Sequence, residues 1–447
     1  MSDILVIMSG SYCNPELQNE FGKIPSALVP IGHRRLLDHQ LELNSQSTLL
    51  VVPNDYYVQG STYQVDPKAR IDQAFHEIAR KLVNLQLPSD HTIHFLWGDT
   101  LIKRLSDTEC VGVSFTNSEF AWEYVNGFVF NGYLAIKPST LKAAVKSGSR
   151  TLQKLIASLP LKIMGQNDWM DFGHATTYWK SRTHFFKTRH FNSLRIAGDR
   201  LVKTSSEERT NCEFNWYTTI PNELKQYSPQ VHRISSNQYS MNFIPNPSLS
   251  ELWVYGKKTN SWWESVLSKV FDFIDLGASH RGYNKDPMFL DKTRDRLSES
   301  PWRTLHSRSA IKTLKPLDKV VVIHGDLCFS NILYDSRTDT ISVIDPRGQD
   351  SDGNPSIYGH SLYDVAKLAH SLIGGYDLIV AGLHYRSTSY SMREWFYGEA
   401  FYRFGYTRRQ INAAMGLLFV SMVPLHMDDM VRARRLHERG VAILRNA

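Results

Sequence analysis

Short apolar runs alternating with longer amphipathic stretches mark the first part of the chain. Ile4 to Met8, Leu49 to Pro53 and Ile93 to Trp97 are largely apolar runs of strand length, the pattern of strands buried on both faces. Between them, Leu36 to Leu43 reads as helical. Pro67 to Leu85 places Ile71, Phe75, Ile78 and Leu82 on one helical face, with Pro67 suited to the first turn. Val111 to Phe115 and Gly127 to Ile136 read as further strands, and Thr151 to Leu159 as a helix. This alternation predicts an α/β unit with a mostly parallel sheet.

The pattern changes near residues 185–190. Ser193 to Ile196 and Arg200 to Lys203 read as a hairpin turning at Ala197-Gly198-Asp199, followed by a polar stretch from Thr204 to Asn211. Glu213 to Leu224 reads as a helix interrupted by Pro221. Val231 to Ile234, Tyr239 to Phe243 and Glu251 to Tyr255 read as strands. From Trp262 the pattern is helical, apart from an apolar, β-branched run from Lys319 to Ile323 and two short strands, Ile332 to Tyr334 and Ile341 to Ile344. Helix resumes after Tyr363. Strands followed by many helices predict an α+β second domain.

Composition narrows the class. The 447 residues are enough for two cores, and 42% hydrophobic with 21% charged residues is the balance of a soluble globular protein. The net charge of +7 is dispersed and suits anionic small molecules such as nucleotides. There is no long Lys/Arg run, and no nucleic-acid partner is expected. The four cysteines are far apart and form no Cys-x-x-Cys, so neither a zinc site nor a disulfide framework is expected, and a reduced, cytoplasmic setting follows. Met1 to Asp3 lacks a basic segment ahead of an apolar one and does not read as a signal peptide. The longest apolar stretch, Ala413 to Val423, is too short to span a bilayer.

The chemistry concentrates in His324-Gly325-Asp326-Leu327-Cys328-Phe329-Ser330-Asn331 and the later Ile344-Asp345. A lone His-Gly-Asp is also an ordinary turn. Here it follows an apolar strand, and Ser336 to Asp339 turns the next two strands into a hairpin that returns Asp345 to Asn331. Phosphoryl transfer requires such a set. One carboxylate, Asp326, orients or deprotonates the attacking hydroxyl, and Asn331 with Asp345 holds Mg²⁺ on the phosphates. His324 reads as a brace for the loop. Lys203, at the end of its strand, is the candidate for the phosphates. Glu213, taken to start the next helix, is its candidate partner, with Glu207 and Glu208 as competitors.

From about Arg189 to Ala447 the chain resembles the aminoglycoside phosphotransferase and choline/ethanolamine kinase family. The resemblance rests on His324-Gly325-Asp326 with Asn331, on Ile344-Asp345, and on Tyr363-Asp364-Val365-Ala366-Lys367-Leu368. It implies a protein-kinase-like fold with a nucleotide-binding N-lobe, a helical acceptor-binding C-lobe, and Mg²⁺ with a nucleoside triphosphate, ATP first, as co-substrate. Asp364 and Lys367 are assigned to support of the fold, with Asp364 bracing the catalytic loop. The glycine-rich loop of protein kinases is reduced to Gly198. Aromatics such as Trp302, Tyr376 and Tyr402 are physically able to build a quaternary-ammonium cage, but packing is the simpler reading and no such site is assigned.

Residues up to about 185 resemble the sugar nucleotidyltransferases. Ile24-Pro25-Ser26-Ala27-Leu28-Val29-Pro30-Ile31-Gly32, Leu36 to Leu41, Trp97-Gly98-Asp99 and Trp169-Met170-Asp171-Phe172-Gly173-His174 carry the likeness. The resemblance implies that Asp99 and Asp171 share a Mg²⁺. The chain departs from the family in two places. Met8 to Asn14 replaces the glycine-rich loop with its Arg, and Ser26 stands where the family has Lys; Lys23 is a possible substitute. Retained nucleotidyl transfer and a nucleotide- or sugar-nucleotide-binding domain without activity are both open.

The expected organisation is a nucleotidyltransferase-like domain at residues 1–187 and a kinase-like domain at 188–447, with its N-lobe near 188–258 and its C-lobe near 259–447. The expected activity is phosphorylation of a small-molecule hydroxyl, with the first domain nucleotidylating the product. The pairing resembles proteins of bacterial capsule and lipopolysaccharide biosynthesis, which implies surface-polysaccharide precursor synthesis. Kinase activity alone, or a non-catalytic binding module for polysaccharide assembly, are the rival readings. Protein partners are not indicated.

Overall fold

The computed structural model describes residues 3–44, 47–114, 124–125, 127–146, 152–165, 168–185, 193–298, 304, 306–315, 317 and 319–447. The chain forms two compact units. One comprises Met1–Phe185 with Tyr255–Lys257, and the other the remainder. The expected boundary at 187/188, and Phe115, Thr151 and Trp302, lie outside the described residues.

In the first unit a mixed, mostly parallel sheet runs in the order Leu161–Ile163, Cys110–Ser114, Phe128–Ile136, Ile93–Trp97, Ile4–Met8, Thr48–Pro53, Tyr63–Val65. Ile4–Met8 is parallel to both neighbours, and Phe128–Ile136 is the antiparallel member. Leu5, Val6 and Ile7 are fully buried, as a strand covered on both faces requires. The helix Ile71–Asn84 buries Phe75, Ile78, Ala79 and Leu82, and Phe75 packs on Phe95 with ring centroids 4.8 Å apart. It starts later than the pattern predicts, because Asp66 and the residues after it form a turn in which Lys68 and Ala69 donate back to Asp66. Pro67 therefore precedes the helix.

The second unit opens with a four-stranded antiparallel sheet, in the order Ser193–Ala197, Arg200–Thr204, Gln238–Asn242, Val231–Ser235. The helix Glu207–Thr219 links the second strand to the two that follow. Ser206 caps it by accepting the Arg209 N–H at 3.3 Å. Glu213 thus lies two turns inside the helix, not at its start, and Pro221 ends it as the pattern predicts. Glu251 to Tyr255 is not a strand: Leu249–Val254 is a helix. Ser248 and Glu251 form a reciprocal cap, with the Ser248 N–H donating to Glu251 Oε2 at 3.0 Å and the Glu251 N–H donating to Ser248 Oγ at 3.3 Å. The Ser-x-x-Glu spacing carries this signal, and local capping overrides the apolar β-like run.

The helical part follows. Asn260–Ala278, Ser361–Leu372, Arg408–Met422 and Met430–Leu444 enclose a core in which Phe271, Phe329, Phe396 and Phe419 are fully buried. Only Val321–Val322 of the expected Lys319 to Ile323 strand is paired, to Tyr358–Gly359. The hairpin Ile332–Asp335 with Thr340–Val343 turns at Ser336 to Asp339, in register Ile332 to Val343. Among the described residues no helix is long and apolar enough to cross a membrane.

Candidate active site

The loop after Val321–Val322 is held through its backbone N–H groups, which donate to side-chain acceptors. Asp364, on the helix Ser361–Leu372, accepts the N–H groups of His324 and Gly325, each at 2.8 Å. Burial pushes its carboxyl up to about 7, against the two N–H bonds that lower it. His324 is fully buried. Its Nδ1 accepts from the Asp326 N–H at 3.3 Å and its Nε2 lies 3.0 Å from the Ile344 carbonyl oxygen. An N–H only donates and a carbonyl only accepts, so the neutral Nε2–H tautomer satisfies both. Burial agrees with this, bringing the imidazole down to about 4. Gly325 has φ +78°, and an added Cβ would lie 2.7 Å from the Arg347 Cβ, so glycine is required there on both counts.

This bracing presents Asp326, Asn331 and Asp345 together. Asn331 is buried, and its Nδ2 donates to the Asp326 carbonyl at 2.9 Å and to Oδ2 at 3.1 Å. Its amide oxygen is thereby turned away from Asp326, its one described contact being Ser330 Oγ at 3.4 Å. Asp345 follows the hairpin with φ +55°, a left-handed conformation that Asp tolerates, and its N–H donates to the Tyr217 hydroxyl at 3.0 Å. The expected return of Asp345 toward Asn331 is visible in the Ile344 N–H, which donates to the Asn331 carbonyl at 3.0 Å.

Lys203 lies within the strand Arg200–Thr204, only 2% exposed, with Nζ 2.8 Å from Glu213 Oε2 and 2.8 Å from Asp345 Oδ1. Glu213 also accepts from Tyr239 Oη at 2.8 Å and from Arg209 Nε at 3.0 Å. Burial disfavours the Lys203 ammonium, but Asp345 and Glu213 outweigh it and the pKa is raised. Burial likewise acts to raise the Asp345 carboxyl, and Lys203 reverses that to a net lowering. Glu207 and Glu208 are exposed on the first helical turn, so the competition for Lys203 falls to Glu213.

Lys367 was not singled out for the site by its sequence context. It lies one turn beyond Asp364, and its Nζ is 2.8 Å from Asp326 Oδ1 with the lysine side chain 12% exposed. Burial opposes ionisation of Asp326, but Lys367 more than compensates and the carboxyl is lowered. The signal was the spacing: Asp364 touches the loop, and a residue three further along a helix shares its face. Asp350 accepts from the N–H groups of Asp352 and Asn354, each at 2.9 Å, and Asp352 pairs with Lys285 at 2.5 Å. Both serve their loop.

The first unit also brings its two candidates together. Asp99 follows the central strand Ile93–Trp97, and the ladder of Trp169–Asp171 with Thr100–Ile102 sets Asp171 opposite Thr100. A Cβ on Gly173 would lie 2.9 Å from Asp99 Oδ2 and 3.2 Å from Asp171 Oδ1, so both carboxylates converge on that glycine. Burial and then Asp171 push the Asp99 carboxyl up to about 6. Ser26 Oγ lies 3.4 Å from Ser9 Oγ, and Ser9 accepts the Ala27 N–H at 2.9 Å. Lys23 stacks on Tyr12 at 4.1 Å and pairs with Asp55 at 3.4 Å.

Solved structures with similar folds fall in two groups. A putative aminoglycoside phosphotransferase from Ralstonia eutropha aligns over 61% of this chain and 98% of its own at 11% identity and a TM-score of 0.37. A choline kinase from Streptococcus pneumoniae aligns over 58% and 92% at 13% identity and a TM-score of 0.38. A UDP-glucose pyrophosphorylase from Acinetobacter aligns over 42% of this chain and 94% of its own at 11% identity and a TM-score of 0.30. No family model matches the chain. No curated protein matches it. The fold class is α/β with a mostly parallel sheet in the first unit and α+β in the second, as the sequence pattern predicts.

Proposed function

We propose that the second unit is a Mg²⁺-dependent phosphotransferase that moves the γ-phosphate of a nucleoside triphosphate, ATP first, to a hydroxyl of a small molecule. The observation that carries this reading is the buried Lys203 ammonium held 2.8 Å from both Glu213 and Asp345, beside a loop that presents Asp326 and Asn331. A cation fixed in this way is preorganised for phosphate oxygens. The donor set fits Mg²⁺, a hard ion that takes one or two carboxylates and completes its shell from phosphates and water. Asp345, with 45% of its side chain exposed, and the Asn331 amide oxygen would hold it there. When bound, Mg²⁺ supplies charge neutralisation on the phosphates.

Asp326 is 41% exposed and reaches an incoming acceptor. Lys367 keeps it ionised, which makes it a weak base and a good acceptor of a hydrogen bond. It therefore orients the hydroxyl, and takes the proton only late, as the new O–P bond forms and the bond to the β,γ-bridging oxygen breaks. A loose transition state suits such a weak base.

For the first unit, the convergence of Asp99 and Asp171 favours a second reading, in which this unit nucleotidylates the phosphorylated product with release of pyrophosphate. One chain would then supply an activated precursor for surface polysaccharide. The internal engagement of Ser26 and Ser9 favours the rival, a binding unit without turnover. The test is incubation with Mg²⁺, each nucleoside triphosphate and a panel of small alcohols and sugars, following nucleoside diphosphate and pyrophosphate together. Diphosphate alone leaves the kinase reading standing and removes the second activity. Neither product from any acceptor, with wild type matching Asp326→Ala, overturns both.

A further inference from the structure

The helix Glu207–Thr219 carries Trp216 and Tyr217 one turn beyond Glu213, on the face that Glu213 presents to Lys203. Each of the three meets a different part of the candidate active site. Glu213 holds Lys203 at 2.8 Å. Trp216 is fully buried, and its Nε1–H donates to the Ile323 carbonyl at 2.7 Å, one residue before His324. Its indole also meets the His324 ring edge to face, with centroids 5.4 Å apart. Tyr217 is buried, and its hydroxyl accepts the Asp345 N–H at 3.0 Å. Three residues after Asp345 the chain runs against the helix backbone: a Cβ on Gly348 would lie 2.2 Å from the Cys212 carbonyl oxygen.

Asp345 needs support from outside its own segment. Its φ of +55° is a conformation that Asp tolerates but does not favour, and such a backbone persists where its surroundings fix it. The N–H groups around it are accounted for one by one. Ile344 donates to the Asn331 carbonyl at 3.0 Å, Pro346 has no N–H, and Arg347 donates to the His324 carbonyl at 2.9 Å. Those two bonds tie the segment to the catalytic loop, backbone to backbone. The Asp345 N–H is the one in this run held by a side chain, and that side chain belongs to the helix that also holds Lys203. The 2.8 Å spacing of Lys203 Nζ and Asp345 Oδ1 is thus set from both sides by one element.

We infer that Tyr217 is a positioning residue for the carboxylate that would hold Mg²⁺: its hydroxyl fixes the Asp345 backbone, so that the carboxylate takes its place from the same helix that places Lys203. The inference rests on the kinase reading above for the metal, but not for the hold on Asp345. Without the hydroxyl, the Asp345 N–H loses its acceptor and the backbone is free to leave the left-handed region, carrying the carboxylate away from Lys203. Phenylalanine at this position keeps the ring contacts with Trp216 and Tyr239, whose centroids lie 5.4 and 6.2 Å away.

The test uses the full-length protein and two readouts besides turnover. Amide hydrogen exchange is measured without ligands. In Tyr217→Phe the Asp345 amide is expected to exchange about tenfold faster, because its opening no longer breaks a bond to the helix. Binding of the β,γ-imido analogues of ATP and GTP is then titrated with Mg²⁺ by calorimetry. The Mg²⁺ midpoint is expected to rise about tenfold in Tyr217→Phe, in the range for lost support behind a metal ligand, with metal-free nucleotide binding unchanged. Trp216→Phe loses the bond to Ile323 and keeps the one to Asp345, so it is expected to lower the thermal midpoint without moving the Mg²⁺ midpoint. An unchanged exchange rate or an unchanged Mg²⁺ midpoint in Tyr217→Phe overturns the inference, as does an equal Mg²⁺ shift in Trp216→Phe. Should Tyr217→Phe not fold, the wild type decides: its Asp345 amide is expected to exchange together with the helix amides, and exchange roughly a hundredfold faster than theirs overturns the inference. Nucleotide binding indifferent to Mg²⁺ in the wild type overturns the kinase reading, and the exchange measurement still decides the hold on Asp345.

Discussion

Asp99 and Asp171 in the first unit converge on Gly173, and no cation contributes to the Asp99 shift, whereas Asp326 and Asp345 in the second unit each lie 2.8 Å from a lysine. The carboxyl of Asp99 is accordingly pushed up to about 6 by burial and by Asp171, while burial of Asp326 and Asp345 is overcome by Lys367 and Lys203 and both are lowered. Like charges in a desolvated place raise a pKa and opposite charges lower it. The lesson is that Asp326 and Asp345 each meet a fixed cation and stay ionised despite their burial. Asp99 meets a second carboxylate instead, a local charge deficit that a bound cation or a proton relieves.

The largest expected effect is on turnover. Asp326→Asn should lower diphosphate release by about 10³-fold, in the range of a lost acid–base or orienting group, with the circular dichroism spectrum kept. Equal loss from Asp99→Asn would break the contrast by giving the first unit the phosphotransfer role.

Next comes stability. Lys203→Met leaves Glu213, 2% exposed, facing Asp345 without their shared cation. Removing one partner of a buried pair costs about 3–5 kcal/mol, read from the urea midpoint of the full chain. Lys203→Met combined with Glu213→Gln should recover part of that loss. Failure of the second change to help would show that the lysine matters through packing rather than charge.

The third effect is a pH slope. A carboxyl raised in the folded state holds its proton there while the unfolded chain has lost it. Stability from Asp99 is therefore intact below about 4 and is lost as pH climbs toward 6. A shift of this size corresponds to at most about 3 kcal/mol, less where solvent reaches the pair. Thermal unfolding of Asp99→Asn should thus exceed wild type at pH 7.5 but not at pH 4, and Mg²⁺ should close the gap at pH 7.5 by stabilising the wild type alone. A variant no more stable than wild type at pH 7.5 would contradict the charge deficit.

The smallest effect is at the rim of the second site. Arg209 is 54% exposed where it meets Glu213, so Arg209→Ala should cost about 0.2–1 kcal/mol in the same urea experiment. A loss as large as that of Lys203→Met would mean that Glu213 depends on Arg209 as well.

Much of this contrast is legible in the order of the residues. Asp326, Asn331 and Asp345 lie within a strand, a loop and a hairpin whose turn is written in Ser336 to Asp339, and the structure joins them as that order implies. Glu213 was paired with Lys203 by order alone, although its helix begins earlier, at the Ser206 cap. Lys367 reads only as support in the sequence, because an ammonium on an otherwise apolar helix gains its role at Asp326 from the packing of helix against loop. Glu251 reads as a strand position because an apolar run of strand length outweighs a Ser-x-x-Glu cap in the pattern, whereas the structure makes it helical.

What the chain determines by itself is local: apolar runs that must be buried, caps and turns that satisfy backbone donors, and the five-residue step from Asp326 to Asn331. Side-chain period and backbone valence act over a few residues, so they can be read in order. Which cation meets which carboxylate was decided by tertiary structure. Lys203 and Asp345 are 142 positions apart, and nothing in either neighbourhood specifies the other. Their pairing follows from the docking of sheet and hairpin, and the desolvation of that contact is what makes the charges strong.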